Sequence, residues 1–376
     1  MGLHNQGVFA LGTRACIHRT TSGAIMIPFK MAWKIITTYQ YRITWYRVVN
    51  LVKIGISEQI SQKRRSPRIW GDPALLMIEP TNICNLHCPM CPSGTGEMTR
   101  PRGKMDVRAI RKVLDEIGHS LVLIQFWNQG EPFVHPEFLD IVAYAKSKGI
   151  ACMTSTNGHF LKTDDEVQAV IDSGLDEIII SLDGVDQKTY EKYRVGGNYQ
   201  TVLDGITRLV AAKKRARTKR PIIHLQYLVM KHNEAYVDQI VSRGKELGVD
   251  LVSLKTAQVY TEEQAESFLP EDEKYRRYSQ DSEGVHIKRT NQLWCDFLYH
   301  GTVINWDGEV TPCCFDKDAD YSAGNAFREG SFLSTIWRGE PLQKFRQQVL
   351  LNRNDIPICA NCFEGMNQPY VYYFPL

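Results

Sequence analysis

The chain has 376 residues, 43% of them hydrophobic and 23% charged, which is the make-up of a globular protein with a sizeable core. It contains no run of about 18 apolar residues, which excludes a spanning helix of the usual kind. The net charge of +3 hides an asymmetry: residues 1–70 hold eleven Lys/Arg against one acid, Glu58, or +10, leaving 34 minus 41, or −7, for the rest.

In chain order, residues 1–30 show no clear periodicity, and Met26 and Met31 are alternative starts. Residues 31–56 repeat apolar side chains at helical intervals. Tyr41, Trp45, Val48, Val49, Val52 and Ile56 share one face, and Arg42, Arg47, Asn50 and Lys53 are more polar. The pattern predicts an amphipathic helix over about 31–60, continued by the basic stretch SQKRRSPR. Such a segment either packs its apolar face on the following domain, with a solvated basic linker, or lies on an anionic membrane surface or acidic partner.

From residue 71 to 257 short apolar runs alternate with amphipathic segments. Strands are expected at 75–81, 121–127, 150–156, 177–183, 222–230 and 250–256, and helices at 107–117, 136–148, 164–173, 201–217 and 234–247. Six such units in a row imply an α/β fold, a parallel sheet covered by helices, either a partial barrel or a doubly wound sheet. In barrels the working residues lie at the carboxyl ends of the strands. Residues 258–290 read as an irregular connector. Residues 291–366 form a small, turn-rich unit whose thin core would be helped by a metal centre, and 367–376 read as a tail.

Ten cysteines are grouped rather than scattered, and no signal-peptide pattern is present. Grouped cysteines in a reducing, cytoplasmic setting bind metal or do redox chemistry more often than they form disulfides. Cys16 and Cys152 stand alone and carry no functional reading. Cys84, Cys88 and Cys91 follow the first strand as C-x3-C-x2-C. Structural zinc wants four ligands, and unless His87 or a distant residue completes the set, three thiolates suit a 4Fe-4S cluster with one iron left open.

This loop resembles that of the radical S-adenosylmethionine (radical SAM) superfamily. The resemblance implies a partial (βα)6 TIM-like barrel, SAM chelated by the open iron, and reductive cleavage to a 5′-deoxyadenosyl radical. Met90 stands where the family commonly has an aromatic residue, leaving an apolar contact to adenine. Gly130, Glu131 and Pro132 match the family's GGEP motif, with Gln129 in place of its first glycine. A glutamate at a strand end can receive the ammonium of SAM. Ser155 and Asn157 after the third strand, and Ser181 and Asp183 after the fourth, offer groups for ribose and methionine contacts, or else form turns and helix caps. Arg194 matches an arginine that relatives use on the SAM carboxylate. The resemblance runs over residues 75–260.

Cys295, Gly308 and Cys313 form C-x12-G-x4-C, and Cys359 and Cys362 follow in ICANC. Ligand chemistry alone leaves zinc and a closed 4Fe-4S cluster both open. The pattern resembles the SPASM or shorter twitch extension of radical SAM enzymes, and with five cysteines one auxiliary 4Fe-4S cluster fits. The resemblance implies Cys295, Cys313, Cys359 and Cys362 as ligands. Cys314 is spare, a packing residue, a thiol behind the ligands, or the ligand in place of Cys313.

In oxidising relatives a base removes a proton after hydrogen abstraction and the auxiliary cluster accepts the remaining electron. Asp316, Asp318 and Lys255 are candidate bases, against the reading of exposed loop charges. The resemblance further implies an electron donor such as flavodoxin or ferredoxin. The substrate is a small molecule, a lipid-linked compound or a peptide, and no nucleic acid is expected. No leader-binding module is recognisable before the barrel, which weighs against ribosomal-peptide maturation, while the basic start favours a lipid-linked substrate at a membrane. The rival class is a non-catalytic iron-sulfur or zinc protein, a cluster carrier or redox sensor on the same fold.

Overall fold

A computed structural model describes residues 37–281, 284–289, 294–328, 330–364, 366 and 368–376, together with a two-stranded pair, Arg19–Thr20 with Gly23–Ala24. Cys16 and the start of the expected N-terminal helix lie outside the described residues.

The first helix, α1, spans Trp45–Arg64, capped by Thr44, whose side chain accepts from Arg47 N. The strand-helix alternation then follows as β1 Leu75–Ile78, α2 Val107–Ile117, β2 Leu123–Phe126, α3 Phe138–Ser147, β3 Ala151–Thr156, α4 Asp164–Asp172, β4 Glu177–Ser181, α5 Tyr199–Arg215, β5 Ile222–Val229, α6 Val237–Leu247 and β6 Leu251–Thr256. Every predicted strand is present. β1, β2 and β4 are buried along their whole length, the reason their sequences are near-continuous apolar runs rather than alternating ones.

The six strands pair in parallel in chain order. One face packs Leu76, Ile124, Cys152, Ile178, Leu225 and Val252 against the helices. On the other, concave face the amino ends of the strands are filled by Leu75, Leu123 and Ala151 with Tyr39 and Tyr41, and by Ile222 and Leu251 with Tyr39 and Tyr373.

The C-terminal part is built into the same sheet. Residues 258–290 are not irregular: they contain α7, Glu262–Phe268, and a hairpin of β7, Tyr278–Asp281, with β8, Gly284–Ile287. β9, Gly301–Ile304, runs parallel to β1 in the register Leu75↔Gly301, and β10, Val310–Thr311, pairs outside it. A Cβ at Gly301 would stand 2.6 Å from the Leu75 carbonyl oxygen, so this approach requires glycine. α8, Glu340–Asn352, follows. The expected tail instead forms β11, Val371–Pro375, antiparallel to β6. The result is one nine-stranded sheet ordered β10-β9-β1-β2-β3-β4-β5-β6-β11.

α1 corrects the expectation of an apolar face turned inward. Its buried residues are Arg47, Asn50, Ile54, Ser57 and Ser61, whereas Trp45, Val52 and Ile56 are exposed. The reason is a set of dedicated polar partners. The Arg47 guanidinium donates to the carbonyls of Arg42, Gly118, His119, Lys148 and Gly149 at 2.5 to 3.4 Å. Four of these carbonyls lie at the C-terminal ends of α2 and α3, where carbonyls lack helical donors and a cation is favoured. Asn50 exchanges two hydrogen bonds with the Asp72 backbone. Ile54, with Leu51 half-buried beside it, supplies the apolar anchor, in one cluster with Ala74, Leu298, Tyr299 and Phe345.

Candidate functional site

The three-cysteine loop leaves the carboxyl end of β1 and is pinched at its base. Thr81 Oγ1 donates to Gly103 O, Asn82 Nδ2 to Pro101 O at 2.8 Å, and Gly103 N to Asn82 Oδ1 at 3.0 Å. Cys91 begins the short helix Pro92–Thr95, and Gly94 is packed so closely that a Cβ would lie 2.5 Å from Cys88 N.

Each of the three sulfurs faces a polar side chain from a different strand end. Asn157 Nδ2, after β3, is 3.9 Å from Cys84 Sγ. Arg194 Nη1, in the segment after β4, is 3.9 Å from Cys88 Sγ, and Gln129 Oε1, after β2, is 3.9 Å from Cys91 Sγ. Burial pushes the Cys84 thiol up to about 11 and raises that of Cys88, so ionisation here needs a cation in place of the proton.

Glu131 is fully enclosed. Thr156 Oγ1 and Phe133 N donate to its Oε1 at 2.8 and 3.3 Å, and Asn157 N donates to its Oε2 at 2.7 Å. Burial outweighs these bonds and raises its carboxyl to about 7. Gly130 places it with φ +74, and a Cβ there would meet Thr81 O at 2.4 Å. Asp183 is shared between Arg194 Nε, at 2.5 Å from Oδ2, and Leu228 N, at 2.6 Å from Oδ1. Met90 is buried with Leu86, Cys88 and Tyr193. By strand alternation Ser155 shares the concave face with Met153, Ser181 with Ile179, and Lys255 with Ser253, all near carboxyl ends. The cofactor residues expected from the sequence therefore gather around the cysteine loop or along the adjoining strand ends.

The second set converges too. Cys295, Cys313, Cys314, Cys359 and Cys362 line one cavity with Arg353 and Glu364. Burial raises the thiols of Cys295, Cys313 and Cys359, and that of Cys362 to about 12. The Arg353 side chain donates to Cys359 and opposes that shift. Gly308, φ +87, turns the β9-β10 hairpin where a Cβ would lie 2.5 Å from the Phe327 ring. Among the described residues no three His, Cys, Asp or Glu side chains converge as around a single ion, and the case for clusters rests on donor sets made of thiols alone. Cys152 is a useful contrast: burial raises its thiol as well, but among the described residues no other cysteine joins it, and its Sγ donates to Ile150 O.

The two sets flank one short segment. Trp127 packs on the cluster of Met77, Phe297 and Val303, which Cys295, Cys313 and Cys314 also adjoin, while Gln129, two residues on, faces Cys91. Gln129 N donates to Glu79, which holds Arg100 through a buried bidentate pair at 3.0 Å. Arg100 Nε in turn donates to Lys317 O at 2.7 Å. The Lys317 ammonium is a residue that the sequence alone did not single out. Burial works to lower its pKa, but Tyr260, Cys314, Cys91 and Cys313 outweigh it and the pKa is raised. Gln129 was visible only as a departure from a glycine.

Asp316 is placed differently from a free base. It is fully buried, and its two oxygens accept from Asp320 N and Tyr321 N at 2.9 and 3.0 Å, which makes it the organiser of its own turn. Asp318 accepts from Thr99 N and Oγ1.

A family model described as the radical SAM superfamily matches residues 78–243, and one described as an iron-sulfur cluster-binding domain matches residues 295–363. The tungsten-containing aldehyde ferredoxin oxidoreductase cofactor-modifying protein of Pyrococcus furiosus is 30% identical over 321 residues, covering 76% of this chain and 86% of that protein. Mycofactocin maturase MftC of Mycobacterium ulcerans is 26% identical over 317 residues, covering 77% and 80% respectively. Among solved structures, Streptococcus suis SuiB bound to S-adenosylmethionine aligns with a TM-score of 0.56 at 14% identity, over 83% of this chain and 76% of that one, a likeness of fold.

Proposed function

This chain belongs to the radical SAM superfamily and carries a C-terminal SPASM-type iron-sulfur domain, and from that premise we propose that it oxidises a C–H bond of a substrate held between its two cysteine sets. It is an enzyme whose cofactors are a SAM-binding 4Fe-4S cluster and an auxiliary cluster. When bound, these groups supply a 5′-deoxyadenosyl radical that takes a hydrogen atom, and a sink for the electron that remains once the substrate radical has lost a proton.

In this reading Cys84, Cys88 and Cys91 would hold the first cluster, with Asn157 and Arg194 facing the Cys84 and Cys88 sulfurs. Glu131 receives the ammonium of SAM, Arg194 its carboxylate, and Ser155 and Ser181 its ribose. Cys295, Cys313, Cys359 and Cys362 hold the second cluster. Lys255 is preferred to Asp316 as the base, because Lys255 stands near the carboxyl end of β6, whereas Asp316 is fully buried inside its own turn. The observation that carries the oxidative reading is the segment Trp127 to Gln129: Gln129 faces Cys91, and Trp127 packs on the Met77, Phe297 and Val303 cluster that Cys295, Cys313 and Cys314 also adjoin, which supports a short path between the two sets. The names of the relatives, a cofactor-modifying protein and a maturase, support a substrate that is a cofactor or its precursor, peptide or small molecule. A low-potential donor such as flavodoxin or ferredoxin would supply the first electron.

The test is anaerobic reconstitution followed by SAM and dithionite, with 5′-deoxyadenosine as the readout. Joint replacement of Cys84, Cys88 and Cys91 by Ala is expected to abolish it and to lower the iron content from about eight to about four per chain. Absence of 5′-deoxyadenosine from wild-type protein that contains iron and sulfide would overturn the proposal.

A further inference from the structure

The outward face of α1 is apolar although the helix has a partner on its other side. Trp45 is 80% exposed and Val52 55%, with Ile56 in line with them one turn further on. The opposite face carries Arg47, Asn50, Ser57 and Ser61, each satisfied inside the fold. A helix that serves only to cover the barrel would turn its valines and tryptophan inward, where burial is favourable, and leave Arg47 in water. Here the polar side has been given specific partners and the apolar side has been left facing out.

The surroundings of that face indicate what it meets. Ile43, 65% exposed, and Tyr46, also exposed, add apolar surface at its amino end. Arg42, Lys53, Lys63, Arg64, Arg65 and Arg68 are all exposed. The single acid between residues 37 and 70, Glu58, is half-buried and lies 3.3 Å from His300 Nε2. Exposed cations without exposed acids, set around Trp, Tyr and aliphatic side chains on one side of a helix, are complementary to an anionic lipid surface: the cations meet headgroups, and the apolar stripe sinks to the acyl boundary. We propose that α1 docks the protein on the surface of an anionic bilayer, with its axis along the membrane plane and Trp45, Val52 and Ile56 inserted. The inference stands apart from the redox chemistry, because it needs neither cluster.

The experiment is flotation of the full chain with vesicles of phosphatidylcholine alone or of phosphatidylcholine and phosphatidylglycerol in equal parts, at low and high salt. The protein is expected to float with the anionic vesicles and to be released by salt. A triple variant, Trp45→Ser, Val52→Ser and Ile56→Ser, should lose more than about tenfold in partitioning. The variant Lys63→Glu, Arg64→Glu and Arg65→Glu should lose on the order of a hundredfold. Both change exposed residues, so iron content and thermal midpoint should stay at the wild-type values and separate a docking defect from misfolding. The proposal is overturned by absence of flotation, by equal flotation on neutral vesicles, or by flotation of the triple apolar variant at the wild-type level. A wild-type dimer that this variant splits would assign the face to a second copy and also overturn it. So would flotation that appears only after deletion of residues 1–36, because that segment would then be what covers the face.

Discussion

The pH dependence of SAM binding is the sharpest consequence of the Glu131 environment. Burial moves this carboxyl from the 4.5 of an ordinary glutamate to about 7, a cost of ionisation on the order of 3 kcal/mol. Between those two values the folded protein keeps the proton and the unfolded chain has lost it. The folded state then binds more protons, so stability falls by up to ~3 kcal/mol as pH rises from 4.5 to 7 and is level above that. A ligand ammonium reverses the balance, because it binds the carboxylate and not the acid. SAM affinity is therefore expected to rise about tenfold per unit between pH 5 and 7 and to flatten beyond, where an α-amino group is still mostly protonated up to about 7.5. Glu131→Gln should weaken binding at pH 7.5 by roughly 1.5–3 kcal/mol, the worth of a hydrogen bond to a charged group, and abolish the slope. Equilibrium binding of SAM to reconstituted protein at pH 5.5, 6.5 and 7.5 measures both. A flat wild-type profile, or the same slope in Glu131→Gln, would refute the assignment of the ammonium to Glu131.

Three further outcomes follow from the geometry. Gly130→Ala places a Cβ against the Thr81 and Asn82 backbone at a positive φ; strain of about 1–3 kcal/mol should displace Glu131, seen as a lost spectral response of the first cluster to SAM with the second cluster intact. Arg47→Ala removes the shared donor of carbonyls at the ends of α2 and α3 and should destabilise the N-terminal attachment by about 1–3 kcal/mol, measured by thermal melting and by new proteolytic cleavage around α1. Lys317→Met removes a cation that interacts with cysteines of both sets, and it should lower the midpoint potential of the auxiliary cluster in a potentiometric spin-resonance titration, while Lys317→Arg preserves it. Equal potentials in the Met variant would mean that the ammonium has no influence there.

The barrel strands were legible because a parallel strand buried on both faces is an apolar run with few competing interpretations, and each was bounded by turn residues. The cysteine spacing and the strand-end sequences were legible for the same reason that they work: chemistry fixed in short segments leaves a local trace. What was not legible depends on partners distant in sequence. α1 has the periodicity of a helix, but the inward side was decided by carbonyls at residues 118, 119, 148 and 149 that Arg47 reaches together. β9 and β11 are short, and nothing in their composition says that they extend the barrel sheet rather than a separate unit. Asp316 reads as a loop acid until the two amides that it accepts are seen. Lys317 carries no motif at all, because its position comes from the contact of two loops through Arg100.

The order of the nine-stranded sheet has a bearing on biosynthesis. The edge of β1 is closed by residues 301–304 and the edge of β6 by residues 371–375, so both borders of the barrel wait for the last fifth of the chain. At ribosomal speeds of roughly 5–20 residues per second, the segment bearing Cys84, Cys88 and Cys91 spends on the order of ten seconds or more beside an open strand edge. Unpaired edges invite association with other chains, and exposed thiols invite oxidation. Delivery of iron and sulfide, or protection by a chaperone, is therefore most needed in the interval between emergence of Cys91 and arrival of β9, and truncations that stop before residue 301 should aggregate rather than yield a smaller working barrel.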